Sequence, residues 1–239
     1  MTATDAPGQG HLTFHEKLEH LKQRLVAMSQ RAEELLDLSI EALRTGDSGR
    51  AEAVLVADRD LDTMEVEIEG LAISLLALQQ PMARDLRFIV SAIKITSDLE
   101  RVGDHAVNIA GSTIRMTALP GRLSVPPQLE EMGRHARSML GDALDAVMRL
   151  DGGLGRQVCA RDDAVDALHE TLFRSLLTHM MEEPRTISYS LELLLVGRNL
   201  ERVADLATNI AEDAVYLAEG VSIKHHLEGR PDGSRAMHA

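Results

Sequence analysis

Cysteine is nearly absent from this chain: Cys159 is the only one among 239 residues. A single thiol excludes an intrachain disulfide and any metal site assembled from several thiolates. On its own it reads as a small helix residue. Tryptophan is missing, and there are only two tyrosines and three phenylalanines. The chain therefore lacks the aromatic platforms on which single-stranded nucleic acid stacks. Positive charge is in deficit, with 25 Lys+Arg against 38 Asp+Glu and a net charge of −13. Such a balance repels a phosphate backbone. Long apolar runs are missing as well. LAISLLAL (71–78) is among the longest, far short of the roughly 20 residues that span a bilayer. The opening MTATDAPGQGHLTFHEKLEH has no apolar core of a secretory signal. The expectation is a soluble, cytoplasmic protein.

What is present is helix-forming. Prolines stand at 7, 81, 120, 126, 127, 184 and 231, and the stretches between them are rich in Ala, Leu, Glu, Arg and Met. Proline inside a helix costs about 3 kcal/mol, so its placement marks helix ends. TGDSG (45–49) and DGGLG (151–155) add two glycine-bearing breaks. This punctuation predicts six helices, at 13–44, 48–79, 83–117, 127–150, 154–182 and 185–219. Apolar residues recur at intervals of three and four, as one face of a helix requires. Leu61, Met64, Ile68, Leu71 and Leu75 do so, as do Val165, Leu168, Leu172, Leu176 and Met180, and Leu99, Val102, Ala106 and Ile109. No alternating run calls for a sheet.

ALPGRLSVPP (118–127) divides the chain into halves of three helices each. The fold class that follows is all-α: two tandem, internally duplicated, antiparallel three-helix bundles, the first over 13–119 and the second over 127–220. Residues 1–12 and 221–239 lose apolar periodicity and are expected to be mobile tails. His225 and His226 lie in the second tail and read as a loose surface pair.

The duplication carries a chemical signature. SDLERVGDHAVNIAG (97–111) places Glu100, Asp104 and Asn108 four apart; NLERVADLATNIAED (199–213) repeats the line with Glu201, Asp205 and Asn209. Each half holds a second acidic pair at the same spacing, Asp58 with Asp62 and Asp162 with Asp166. Residues four apart share one helix face, with Cβ atoms about 5–6 Å apart. Folding the second helix back on the third about Pro81 makes Asp58 level with Asp104 and Asp62 level with Glu100, since each pair is equidistant from that turn. The same holds for Asp162 with Asp205 and Asp166 with Glu201 about the junction of Glu183 and Pro184. Four carboxylates gathered in this way repel one another unless a cation or protons intervene. Sulfur-free carboxylate sites suit hard ions such as Mg²⁺, Mn²⁺, Ca²⁺ or ferric iron. An ordinary solvated charged face, partly neutralised by Arg101 and Arg202, fits the same spacing, so both readings stay open on the residues alone.

The segments QQPMARDLRFIVSAIKITSDLERVGDHAVNIA (79–110) and LERVADLATNIAEDAVYLAEG (200–220) resemble the PhoU family, the phosphate-specific transport system accessory proteins. The resemblance spans about 13–220. It implies two similar three-helix bundles and a cytoplasmic negative regulator of phosphate uptake and phosphate-starvation signalling. The implied partners are the ATPase subunit of a phosphate ABC transporter and a sensor histidine kinase, with no nucleic acid and no direct membrane insertion. It further implies a homodimer. It also implies metal ions (iron, manganese, magnesium or zinc) on Asp58, Asp62, Glu100, Asp104, Asp162, Asp166, Glu201 and Asp205. Two departures stand out. Ala204 replaces Gly103, a swap that barely threatens a carboxylate site. The second repeat has MEEPRTISYS in place of QQPMARDLR, so a partner contact by Arg84 or Arg87 would exist in one half only.

Two alternatives accompany this reading. A carboxylate-bridged metalloenzyme of the helical-bundle type uses Glu-x-x-His on its ligand helices. No Glu here has a His three residues later; Asp166 with His169 comes nearest. The other alternative is a metal-free helical adaptor. No G-x-x-x-x-G-K-[ST] loop is present to hold a nucleotide.

Overall fold

The computed structural model describes residues 13–120 and 123–223. The stretch 1–12, most of the expected C-terminal tail and the pair His225–His226 lie outside the described residues. Among the described residues the chain is all helical, and no helix is long and apolar enough to cross a membrane.

Eight α-helices run in order: α1 (Phe14–Thr45), α2 (Ser48–Ala57), α3 (Arg59–Gln79), α4 (Ala83–Thr117), α5 (Pro127–Arg149), α6 (Gly152–Cys159), α7 (Asp162–Glu182) and α8 (Ile187–Glu219). A 3-10 turn over Pro184–Thr186 precedes α8. Local chemistry accounts for most ends. Thr13 and Glu16 close a capping box at the start of α1. Asp47 and Asp151 accept backbone N–H groups at the starts of α2 and α6. Each of these caps follows a left-handed residue, Gly46 at φ 67° and Leu150 at φ 54°. The two connectors are thus built alike, although one uses glycine and the other a leucine that packs against the core.

Two of the six expected helices are broken. The second turns at Asp58 and becomes α2 and α3; the fifth turns at Ala160–Arg161 and becomes α6 and α7. Neither break contains proline or glycine, so punctuation did not reveal them. Both fall where acidic residues begin, with Asp60 and Asp62 in the first turn of α3 and Asp162 and Asp163 in the first turn of α7. The positive end of a helix dipole favours carboxylates there. DGGLG also differs from expectation: Gly152, Gly153 and Gly155 lie inside α6, and the chain turns one step earlier, at Leu150–Asp151.

α1 with α2, α3 and α4 forms one antiparallel three-helix bundle, and α5 with α6, α7 and α8 forms the other. The bundles are not separate bodies. α4 packs along α8 and α1 meets α5, so one hydrophobic cluster runs through both. Leu99, Val102, Ala106 and Ile109 of α4 are fully buried, and Val203, Ala204, Ala207 and Ile210 of α8 answer them. Polar contacts cross the seam between the two helices. Lys94 Nζ lies 3.8 Å from Asp213 Oδ1, His105 Nδ1 lies 2.9 Å from Asn199 Oδ1, and Arg115 forks onto Glu192 with two contacts of 2.8 Å. As α4 advances, its partners on α8 recede, so the helices are antiparallel. The result is a four-helix layer, α3–α4–α8–α7, backed by α1 and α5.

Gly103 brings α4 close to the break between α2 and α3. A Cβ there would sit 2.5 Å from Leu61 Cδ1 and 2.8 Å from Asp58 Oδ1. The exchange of Gly103 for alanine is therefore less innocent than the sequence comparison of the repeats implies. Gly70, on exposed α3, has nothing within 4 Å. Gly70→Ala should raise stability by about 0.5–1 kcal/mol through helix propensity. Gly103→Ala should give no such gain, because overpacking of roughly 1–3 kcal/mol opposes it. Thermal or urea melts of the two variants check this; an equal gain in both would contradict the close approach.

Candidate functional site

The turns at Gln80–Met82 and Glu183–Thr186 set α3 against α4 and α7 against α8. The acidic residues then meet in the pairs expected from their distance to each turn. In the first bundle Asp58, Asp62, Glu100 and Asp104 are close enough to act on one another. Burial pushes the Glu100 carboxyl up to about 7, and repulsion from Asp104, Glu65, Asp62 and Asp58 adds to this. Asp58 is raised for the same reasons, burial first and then Asp62 and Asp104.

Glu65 is a site residue that the motif missed. Its carboxyl is raised by burial, then by Glu69, Asp62 and Asp104. It lies one turn beyond Asp62 on the same face of α3, so the stripe Asp58–Asp62–Glu65–Glu69 was a readable signal. A search that stops at the Asp58–Asp62 pair passes over it, although Glu65 and Glu69 stand at the same spacing.

The second bundle arranges its carboxylates differently. Asp162 and Asp205 line one hollow of about 340 Å³ with Arg101, Arg202, Thr208 and Asn209. Asp166 and Glu201 line another of about 260 Å³ with His169, Glu170 and Phe173. Burial raises the Asp162 carboxyl to about 6, followed by repulsion from Asp205 and Asp166. Arg202 lies 3.1 Å from Asp205 and offsets part of the charge. Arg101, expected to neutralise its own repeat, instead lies 3.8 Å from Asp98 and reaches the hollow of the other repeat. His169 Nδ1 lies 3.9 Å from Glu201 Oε2, so it belongs to the second site. At the matching position of the first repeat stands Glu65. Asn209 joins its hollow, whereas Asn108 is exposed beside the first cluster.

Among the described residues no three Asp, Glu, His or Cys side chains are arranged to hold a metal ion as they stand. The sulfur-free, carboxylate-dominated donor set nevertheless matches a hard cation in chemistry.

Other candidates resolve simply. Cys159 is half-buried, and burial pushes its thiol up to about 11, which makes it a poor nucleophile. Arg84 and Arg87 pair with no carboxylate among the described residues. The Arg87 guanidinium instead lies 3.7–3.8 Å from the position a Cβ would take at Gly220, the left-handed cap of α8. A cation is favourable at that end of a helix. Arg87 of the first repeat thus lies beside the end of the second repeat's last helix.

A raised carboxyl gives the pH dependence its sign. The folded state holds a proton that the unfolded chain releases near 4.5, so the stability tied to Glu100 is complete below that value and is lost as pH rises through about 7. In chelator-treated protein the melting temperature of wild type should therefore fall over that window relative to Glu100→Gln. The variant should gain most at pH 8; parallel pH profiles would contradict the crowding.

The chain matches the PhoU domain twice, over residues 25–113 and 129–214. It is 42% identical over 200 residues to a phosphate-specific transport system accessory protein PhoU homolog of Caulobacter vibrioides, covering 84% of this chain and 87% of that one. A homolog of the same description from Pseudomonas putida is 37% identical, covering 89% and 83%. Among solved structures, PhoU from Pseudomonas aeruginosa superposes with a TM-score of 0.83 at 37% identity, over 87% of this chain and 100% of that one. The phosphate transport system regulatory protein PhoU from Streptococcus pneumoniae gives 0.81 at 30%, over 88% and 99%. The paired PhoU-domain matches, the relatives and the shared fold together place this chain in the PhoU family.

Proposed function

We propose that the chain is an accessory regulator that restrains phosphate uptake and phosphate-starvation signalling when phosphate is plentiful. Family membership supports this reading, together with relatives named as accessory and regulatory proteins of phosphate transport. It works in the cytoplasm through protein contacts with the ATPase subunit of a phosphate ABC transporter and with a sensor histidine kinase, and it does so as a homodimer. Contact with the transporter runs through protein, because a net charge of −13 opposes anionic lipid. No observation favours a catalytic role for the acidic clusters over this one.

The observation that carries the chemical part is the crowding of carboxylates on the α3–α4–α8–α7 layer. Glu100 held up to about 7 and Asp162 to about 6 reflect burial first and then repulsion from the neighbouring carboxylates. Bound cations remove that repulsion. Asp58, Asp62, Glu100 and Asp104, with Glu65, hold ions in the first bundle; Asp162, Asp166, Glu201 and Asp205, with His169 beside them, do so in the second. The two sites differ in charge: the first has an additional carboxylate, whereas the second has Arg202 against Asp205 and Arg101 nearby.

Two measurements test the proposal. Protein exposed equally to Mg²⁺, Mn²⁺ and Fe³⁺ should carry metal that Glu100→Ala/Asp104→Ala and Glu201→Ala/Asp205→Ala each reduce, with circular dichroism unchanged. Equal metal in all three proteins would leave a metal-free adaptor as the account of these faces. Deleting the gene should raise phosphate-starvation gene expression in rich phosphate. Unchanged expression together with unchanged uptake would overturn the regulatory reading itself.

A further inference from the structure

Two hollows stand at opposite ends of the seam between the bundles, and the duplication relates them. One, of about 280 Å³, is lined by Leu43 and Gly46 at the end of α1, Met116 at the end of α4 and Tyr189 at the start of α8. The other, of about 360 Å³, is lined by Val147 and Leu150 at the end of α5, Leu217 at the end of α8 and Phe88 at the start of α4. Residue by residue these are repeat counterparts. Leu43 and Gly46 stand to Val147 and Leu150 as Asp58 stands to Asp162; Met116 stands to Leu217, and Phe88 to Tyr189, as Glu100 stands to Glu201.

The hollows differ in what covers them. At the first, the chain that follows α4 folds back over the opening: Leu119, Leu123 and Val125 pack against the core, and Leu123 and Val125 line the hollow. At the second, the first turns of α1 supply one wall through Leu18 and Glu19. Met148 on its rim is 43% exposed. The chain that follows α8 is the repeat counterpart of the chain that follows α4, and it is described as far as Ile223.

We infer that residues 224–230, KHHLEGR, form a strap over the second hollow, with Leu227 seated against Phe88, Met148 and Leu217 as Leu123 is seated in the first. The exit of the chain supports this. Gly220, the left-handed cap of α8, lies beside Arg87 of α4, and Arg84 and Phe88 of the same turns line the hollow. Four residues separate Ile223 from Leu227, a reach of up to about 14 Å. Charge supports it as well. Arg84 and Asp85 on the rim have no ion-pair partner among the described residues. The segment offers a complement to each, Glu228 for the arginine and Lys224 or Arg230 for the aspartate. Little intrinsic affinity is needed, because a short tether keeps the effective concentration of the segment high. Seated there, the strap shields Arg84, so a partner that needs this side chain must displace it.

Cross-linking of the full chain tests the strap. In a Cys159→Ser background, His226→Cys is combined either with Met148→Cys on the rim or with Gln157→Cys on α6. The second position stands beside the same end of α8, where Arg156 meets Glu219 at 2.7 Å, but outside the hollow. Mild oxidation should close the intrachain disulfide at least about tenfold faster with Met148→Cys, a bias within what burial of one leucine side chain supports. Adding Leu227→Asp should abolish the bias. Equal rates in the two pairs, a bias that survives Leu227→Asp, or a link formed only between chains would each overturn the strap. A second measurement needs no cysteine. Amide exchange over residues 84–88 should be slower in wild type than in Leu227→Asp, because a covered helix start opens to water less often. Identical exchange in the two proteins would likewise overturn it.

Discussion

Everything distinctive in this molecule hangs on the packing of α4 against α8. Each helix buries a stripe of aliphatic residues toward its own bundle and a flank toward the other helix. Burial at about 25 cal/mol per Å² makes such a seam a major share of the driving force for folding. It also fixes orientation. The crossing polar pairs, from Lys94–Asp213 through His105–Asn199 to Arg115–Glu192, hold the two long helices in one register. Slipping either helix by a turn would bury or strand these groups, which costs more than an exposed pair gains.

The seam has an electrostatic consequence. Because α4 and α8 are antiparallel neighbours, Arg101 of the first repeat reaches the hollow of Asp162 and Asp205 in the second, while Arg202 pairs with Asp205 of its own repeat. The repeats have drifted apart around this shared frame. The first keeps Glu65 where the second has His169, and packs α4 tightly on Asp58 through Gly103 where the second has Ala204. The carboxyls of Glu100 and Asp162 are both raised, by burial first and then by like charge. Duplication supplied two sites, and divergence in a few side chains made them chemically unequal.

Much of this was legible in the primary structure. Proline placement and periods of three and four gave the all-α class and the halves, because helix formation is local and a proline cannot be accommodated within a turn. The equal distances of Asp58 and Asp104, and of Asp62 and Glu100, from Pro81 gave the level pairs, since an antiparallel hairpin converts sequence distance into height. The breaks at Asp58 and at Ala160–Arg161 were not legible. No local breaker marks them, and both parts of each broken helix pack on the same two long helices, α1 and α4 in the first bundle and α5 and α8 in the second.

The sequence by itself thus determined the helices, the pairing within each hairpin and the carboxylates that such pairing collects. All of these follow from interactions between residues near in sequence or joined by a short turn. Tertiary structure decided which repeat each arginine serves, that Arg87 lies beside the end of α8, that Glu65 and His169 join the clusters, and that Phe173, Leu177 and Leu191 stay uncovered. Those outcomes depend on which helix lies beside which across the seam, and periodicity within one helix carries no information about a neighbour a hundred residues away.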